Sequence, residues 1–290
     1  MRSFSAIIVV EILAAMLQAC DTQQWPEYEP LLVVEGYVDD GGFPLVMLTT
    51  TVPVSREPQY IDSLGDHLLR WAKVTVSDGE QEVILTGMVD RAFFPPFVYT
   101  TSRMRGRAGQ SYTLTVDYGD YHAWAVTTIP EAPVVDSFKV SPSDTDSLYS
   151  LSACLSPASL KRNYYMTFVR MGRNGRQWLP AYLGLVADNE AMSDQLMELP
   201  VNRPWLITDT TEYTPYFAEK DTIMVKISRI DEQAYQFWKG YENNINFSRN
   251  PIMPYSHSLH SNIEGGIGCW YGCGAVILPV SISELKTNRK

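Results

Sequence analysis

Ala72-Lys-Val-Thr-Val-Ser-Asp-Gly-Glu-Gln-Glu-Val-Ile-Leu-Thr86 is the stretch on which the fold turns. Two β-rich runs, Ala72–Ser77 and Glu80–Thr86, flank Asp78-Gly79, and Asp-Gly supplies the positive φ angles of a two-residue primed turn. The pairing predicts a hairpin with Val74, Val76, Val83 and Leu85 on one face. Thr75 and Glu82 take the other, so one side packs and one is wet. The same pattern recurs at Ser111–Tyr118, Gly119-Asp120 and Tyr121–Thr128, where Tyr112, Leu114 and Val116 alternate onto a core face. In the return strand, Trp124 and Val126 fall opposite that face. We read them as an apolar stripe buried against a neighbouring domain, a register-shifting bulge being the alternative.

Short runs rich in Val, Ile, Thr and Tyr extend outward on both sides, separated by turn residues, so the chain is mainly β. Leu31–Val38 leads through Asp39-Asp40-Gly41-Gly42 into Pro44–Thr51. Ile129-Pro130-Glu131-Ala132-Pro133 interrupts the pattern with two prolines. The expected division is therefore an immunoglobulin-like β-sandwich over residues 31–129, a linker at 130–133, and a second β-rich domain over 134–290 carrying one or two short α-helices. Strands are expected there at Val134–Val140, Tyr164–Met171 and Thr222–Ile230. Ala187–Leu199 is assigned a short helix with Leu196, Met197 and Leu199 toward the core. The clearer helix runs from Asp231 to about Asn243, with Asp231 as N-cap and Glu232 complementing the positive end of the dipole. Ala234, Phe237, Trp238 and Tyr241 stand at i, i+3, i+4 and i+7, one face that docks on the second sheet.

Ahead of the β-rich body, residues 1–19 read as an export signal. Arg2 precedes an apolar stretch from Ala6 to Leu17, too short for a spanning helix and interrupted by Glu11. Leu17-Gln18-Ala19-Cys20 has the form of a bacterial lipobox, in which cleavage precedes the cysteine and acyl chains such as palmitate anchor it. More than one chain on Cys20 gives stable anchoring, since each buried methylene contributes about 0.8 kcal/mol. Residues 20–30, with two prolines and no apolar periodicity, form a tether.

Composition sets the outer limits. The chain has 290 residues, 45% hydrophobic and 19% charged, which excludes disorder and collagen. Lys and Arg number 23 against 33 Asp and Glu, a net charge of −10, so the field repels phosphate backbones and no nucleic-acid partner is expected. With Cys20 acylated, Cys154, Cys269 and Cys273 remain, an odd number that leaves at least one thiol free. Cys269 and Cys273 would lie about 13 Å apart in a straight strand, beyond disulfide reach.

No G-x-S-x-G, H-E-x-x-H, Walker A, EF-hand or kinase signature occurs. Ser283-Glu-Leu-Lys286 fits S-x-x-K without its companion motifs, and Asp144 and Asp146 read as a solvated turn. His257, His260, Cys269 and Cys273 are zinc-ligand types at spacings that match neither ribbon nor finger. They read as loop histidines and buried thiols, so no metal or other cofactor is expected. Gly265-Gly266-Ile267-Gly268 lacks the following helix that a phosphate cradle needs, because β-rich Ala275–Ile282 comes next. Asn262, Glu264, Trp270 and Tyr271 are the candidate contact surface, the packed start of a strand being the alternative.

Five segments occur in order: Leu31-Leu-Val-Val-Glu-Gly-Tyr37, Val74-Thr-Val-Ser-Asp-Gly79, Gly109-Gln-Ser-Tyr-Thr-Leu-Thr-Val116, Ile230-Asp-Glu-Gln-Ala-Tyr-Gln-Phe-Trp238 and Ser261-Asn-Ile-Glu-Gly-Gly-Ile-Gly268. Together they resemble the Bacteroidota cell-envelope lipoproteins catalogued as domain of unknown function 4249. The resemblance implies an outer-membrane lipoprotein, non-catalytic, acting as a binding or accessory module and associated with a TonB-dependent transporter. It supplies no catalytic residues. Two other function classes stay open: a metal-assisted envelope hydrolase using His257 and His260, and an adhesin or fimbria-like structural subunit polymerising through β edges.

Overall fold

The computed structural model describes residues 29–52, 65, 67–93, 95–144, 147–156, 162–172, 178–181, 184–189, 197–204, 213–248 and 259–287. The export signal, Cys20, the first part of the tether and His257 lie outside the described residues. Residues Leu31–Lys290 form one compact unit.

The chain is mainly β. Before the proline-rich segment at 130–133 come β1 (Leu32–Asp39), β2 (Leu45–Thr50), β3 (Lys73–Ser77), β4 (Glu82–Ile84), β5 (Thr86–Met88), β6 (Val98–Thr100), β7 (Ser111–Tyr118) and β8 (Tyr121–Thr128). After it come β9 (Val135–Pro142), β10 (Leu148–Leu155), β11 (Tyr164–Met171), β12 (Leu179–Pro180), β13 (Val186–Asp188), β14 (Met197–Val201), β15 (Phe217–Ala218) and β16 (Thr222–Ile230). The helix α1 (Glu232–Ser248), the long strand β17 (Ile267–Ser281) and the short helix α2 (Ile282–Thr287) complete it. Among the described residues, no helix is long and apolar enough to cross a membrane.

β17 organises the whole. Its first half pairs in parallel with β1, from Val33–Ile267 to Asp39–Cys273, and its second half pairs antiparallel with β16, from Arg229–Gly274 to Thr222–Ser281. One sheet in the order β12-β11-β16-β17-β1-β2-β6-β5 results, with β13 also on β11. Two four-stranded sheets, β4-β3-β7-β8 and β9, β14 and β15 around β10, cover its two ends. The layering is sandwich-like, with one apolar core in each half. Val34, Val46, Val76, Leu114 and Trp270 meet in the first; Leu151, Leu199, Phe217, Val225 and Ile227 meet in the second.

The segments either side of 130–133 thus share a sheet. Ile129 is fully buried in the first core, and the linker lies directly on β17. A Cβ on Gly274 would collide with the Pro130 carbonyl oxygen. Gly272 donates its N–H to Thr127 Oγ1 at 2.9 Å, and that hydroxyl donates to Asp231 at 3.2 Å, joining β8, β17 and the cap of α1.

The hairpins form where expected, with one adjustment. In β3–β4, Val76 pairs with Val83 and Ser77 with Glu82, so the turn centres on Gly79-Glu80 instead of Asp78-Gly79. The Asp78 carboxylate accepts the N–H groups of Glu80 and Gln81, and Gly79 takes a φ of +90°. A slip of two residues preserves the faces, so Val74, Val76, Val83 and Leu85 are all buried as expected. Thr75, expected on the wet side, is buried as well. In β7–β8 the register runs unbroken from Ser111–Thr128 to Tyr118–Tyr121, so no bulge forms and Trp124 and Val126 stay 47% exposed.

The helix expected over 187–199 is corrected where described. Ala187 lies in β13, and Met197 and Leu199 lie in β14, whose alternation turns Met197, Leu199 and Val201 inward. Pro200 disfavours a helix and is tolerated because β14 is an edge strand, held by its pairing with β10. α1 begins as expected: Asp231 Oδ1 accepts the Ala234 N–H at 2.8 Å. Ala234, Phe237 and Trp238 are buried against β11 and β17, forming a third apolar cluster, while Tyr241 is exposed. Each large side chain buried there contributes about 1.5–3 kcal/mol.

Candidate functional site

Side chains alternate along a strand, so the register of β1 and β17 assigns every residue to a face. Val34, Val38 and Trp270 point into the first core. Glu35, Tyr37 and Asp39, with their partners Cys269, Tyr271 and Cys273, share the opposite face. β2 adds Met47 opposite Glu35, and β16 adds Lys226, paired with Phe168 of β11. This second face carries the candidate site.

Of the proposed contact residues, Trp270 is completely buried, and its indole N–H donates to the Tyr112 carbonyl at 3.0 Å. Gly36 makes room for it, since a Cβ there would stand 2.9 Å from Trp270 Cε3. Asn262 behaves as an extra strand residue: its side chain donates to the Trp270 carbonyl at 2.7 Å and accepts the Trp270 N–H at 3.0 Å. Glu264 is exposed, and its backbone pairs with that of Trp124. Tyr271 is buried on the other face. The four residues therefore do not converge on one surface, and the segment has the geometry of a packed strand start. His260 is exposed, and Cys269 and Cys273 are buried free thiols. Among the described residues, no group of three His, Cys, Asp or Glu side chains is arranged to hold a metal ion.

The site sequence reasoning missed is a cavity of about 450 Å³ above this second face, within the usual range of small-molecule pockets. Glu35, Tyr37, Met47, Phe168, Lys226, Tyr271 and Cys273 line it from the sheet. Trp238 of α1, Asp90, Ala92 and Phe93 of the loop after β5, and Trp178, Leu179 and Pro180 at β12 enclose it. Six of these side chains are aromatic. Tyr271 stands between Tyr37, with ring centroids 5.9 Å apart, and Trp238, 6.1 Å away and edge-on.

Among the described lining residues, three side chains carry formal charge, and their partners differ. Lys226, buried, donates to both oxygens of Asp39, at 2.8 and 2.6 Å. Its ammonium also lies 5.4 Å from the Tyr37 ring and 5.9 Å from Phe168. Asp90 accepts the Ala92 N–H at 2.9 Å. Glu35 makes no hydrogen bond or ion pair among the described residues. Glu35 is half-buried, and desolvation without a partner pushes its carboxyl up to about 7. Burial likewise raises the Tyr37 and Tyr271 phenols, and the Cys273 thiol is raised by burial and by Asp39 beside it.

Chemically, the site offers aromatic and aliphatic surface, one carboxyl that gains or loses its proton near neutrality, and a cation held by its own counter-ion. That combination suits recognition of a small molecule. A weak signal for it exists in the sequence. Lys226 interrupts the apolar run Ile223-Met-Val-Lys-Ile227, and Glu35, Tyr37 and Asp39 alternate with small and apolar residues.

Residues 21–276 match the family described as "Domain of unknown function (DUF4249)". No curated protein matches the chain.

Proposed function

The chain belongs to this family of unknown function, and we propose that it is a non-catalytic binding or accessory module of the bacterial cell envelope. The observation that carries the reading is the aromatic-lined cavity of about 450 Å³, enclosed by segments from both halves of the chain. In this reading the protein is a Bacteroidota lipoprotein of the outer membrane, held through acylated Cys20 and associated with a TonB-dependent transporter. The lipobox-like Leu17-Gln18-Ala19-Cys20 and a family match that begins at residue 21 support a removed address followed by a mature body.

Two experiments test it. Growth with an alkyne-tagged palmitate should label the wild-type protein, and Cys20→Ala should abolish the label and release the protein from membranes. Pull-down of the native protein, cross-linked in intact envelopes, should recover an outer-membrane partner. A monomer with neither partner nor ligand overturns the reading.

A further inference from the structure

The charge inventory of the cavity is unbalanced. Glu35, Asp90 and Lys226 are its charged lining residues among those described, and Lys226 is already committed to Asp39 through two short bonds. Asp90 is held by a backbone N–H, whereas the Glu35 side chain has no partner among the described residues. Two carboxyl groups thus face the space, and among the described residues no cation is matched to them.

A neutral guest leaves Glu35 to be either protonated or an unpaired charge, and burying such a charge is costly. An anionic guest adds repulsion from Glu35 and Asp90. A cationic guest supplies the missing partner. The rings favour the same choice, because Tyr271, Trp238 and Phe93 line the cavity and carry no cation over their faces among the described residues. An aromatic face attracts an ammonium or guanidinium placed within about 6 Å of its centre. The rest of the lining, Met47, Leu179 and Pro180 among it, suits an apolar body attached to that head.

We propose that the cavity is a receptor for a small organic cation, a protonated amine on an aromatic or apolar body, with Glu35 as the counter-ion of its head group. The inference rests on the binding-module reading and adds the ligand's charge and shape. The geometry assigns Glu35 the ionic contact, Tyr271 and Trp238 the faces that flank the head, and Met47 with the β12 residues the apolar wall.

The test is calorimetric titration of the full chain, extracted in mild detergent, with three probes of one shape: 2-phenylethylamine, 2-phenylethanol and 3-phenylpropionate. The amine should bind saturably and at least about tenfold more tightly than the alcohol, a difference near one ion pair with a partly desolvated carboxylate. Glu35→Gln should erase that preference while leaving weak binding of the alcohol, and Glu35→Asp should restore part of it. The wild-type comparison of amine with alcohol stands alone if Glu35→Gln fails to fold. Equal affinities for amine and alcohol, a preference that survives Glu35→Gln, or no saturable amine binding would each overturn the inference. Binding of the alcohol or the acid without the amine would remove the cation claim and leave the binding reading standing. Silence from all three probes, together with an empty pull-down, would remove both.

Discussion

Lys226 on β16 and Asp39 on β1 grip each other across β17, which runs between them, with Nζ 2.8 and 2.6 Å from the two carboxylate oxygens. Asp39 sits where β17 changes partner, since it pairs with Cys273 and the next residue, Gly274, pairs with Arg229; Lys226 reaches back to Asp39 from opposite Ile277. The pair therefore ties the two strands that flank β17 together across it. Removing one member leaves the other charge largely enclosed, which is costlier than removing both. Lys226→Met should lower stability by about 3 kcal/mol, and Lys226→Met with Asp39→Asn should recover most of that loss. Urea unfolding of the single and double variants checks this. Equal losses in the two would mean that packing, not charge, dominates at Lys226.

Glu35 gives the fold a pH dependence of defined sign. Its carboxyl, ordinarily at 4.5, is pushed up to about 7 by burial, with Asp90 and the Asp39-paired Lys226 as its charged neighbours in the cavity. The folded state thus keeps a proton that the unfolded chain has released, so stability falls as pH rises from 4.5 to 7 and levels above. The loss from this group is at most about 3 kcal/mol, reduced by whatever water the cavity admits. Glu35→Gln removes the titration, so the variant should gain on the wild type as pH rises through that window. The difference between the two stability curves isolates Glu35 from the other carboxylates. A flat difference would mean that Glu35 titrates normally.

Gly36 is required by its neighbour. A Cβ at this position would meet Trp270 Cε3 at 2.9 Å, the Leu45 carbonyl oxygen at 3.0 Å and Val46 at 3.1 Å, and the backbone oxygen cannot move aside cheaply. Gly36→Ala should cost about 2 kcal/mol through overpacking, with a shift in the fluorescence of the fully buried Trp270. Unchanged stability and an unchanged emission maximum would mean that β1 can move off Trp270.

These positions also mark where sequence reading stops. β7, β8, β11 and β16 occupy the expected ranges because each is a β-rich run with clear turn or chain-break signals at its ends. The Asp78 hairpin slid by two residues because the same aspartate that suits a turn also caps the next two N–H groups. β17 was legible only in its second half, as the β-rich run from Ala275. Its parallel pairing with β1 joins segments more than two hundred residues apart, and no local pattern encodes that register. The cavity inherits this obscurity, because Glu35, Lys226 and Tyr271 become neighbours only through that pairing. The aromatic stripe of α1 was legible for the opposite reason: its helical spacing is local.

The same strand fixes the behaviour of its two thiols. Cys269 and Cys273 lie four residues apart on extended β17, on one face beneath α1, and both are free and buried. Extended geometry separates their Cα atoms by about 13 Å, roughly twice what a disulfide spans. Burial first, and then the carboxylates of Asp231 near Cys269 and Asp39 near Cys273, hold both thiols well above their ordinary range. The thiolate is the nucleophile, so the folded protein should leave both unmodified by iodoacetamide at mildly alkaline pH. In urea the same reagent should label both. Mass spectrometry of tryptic peptides after a timed pulse reads the two states directly. Rapid native labelling, or a Cys269–Cys273 bridge formed under oxidant with the fold intact, would require β17 to bend at Tyr271-Gly272, and the parallel register with β1 would then be wrong.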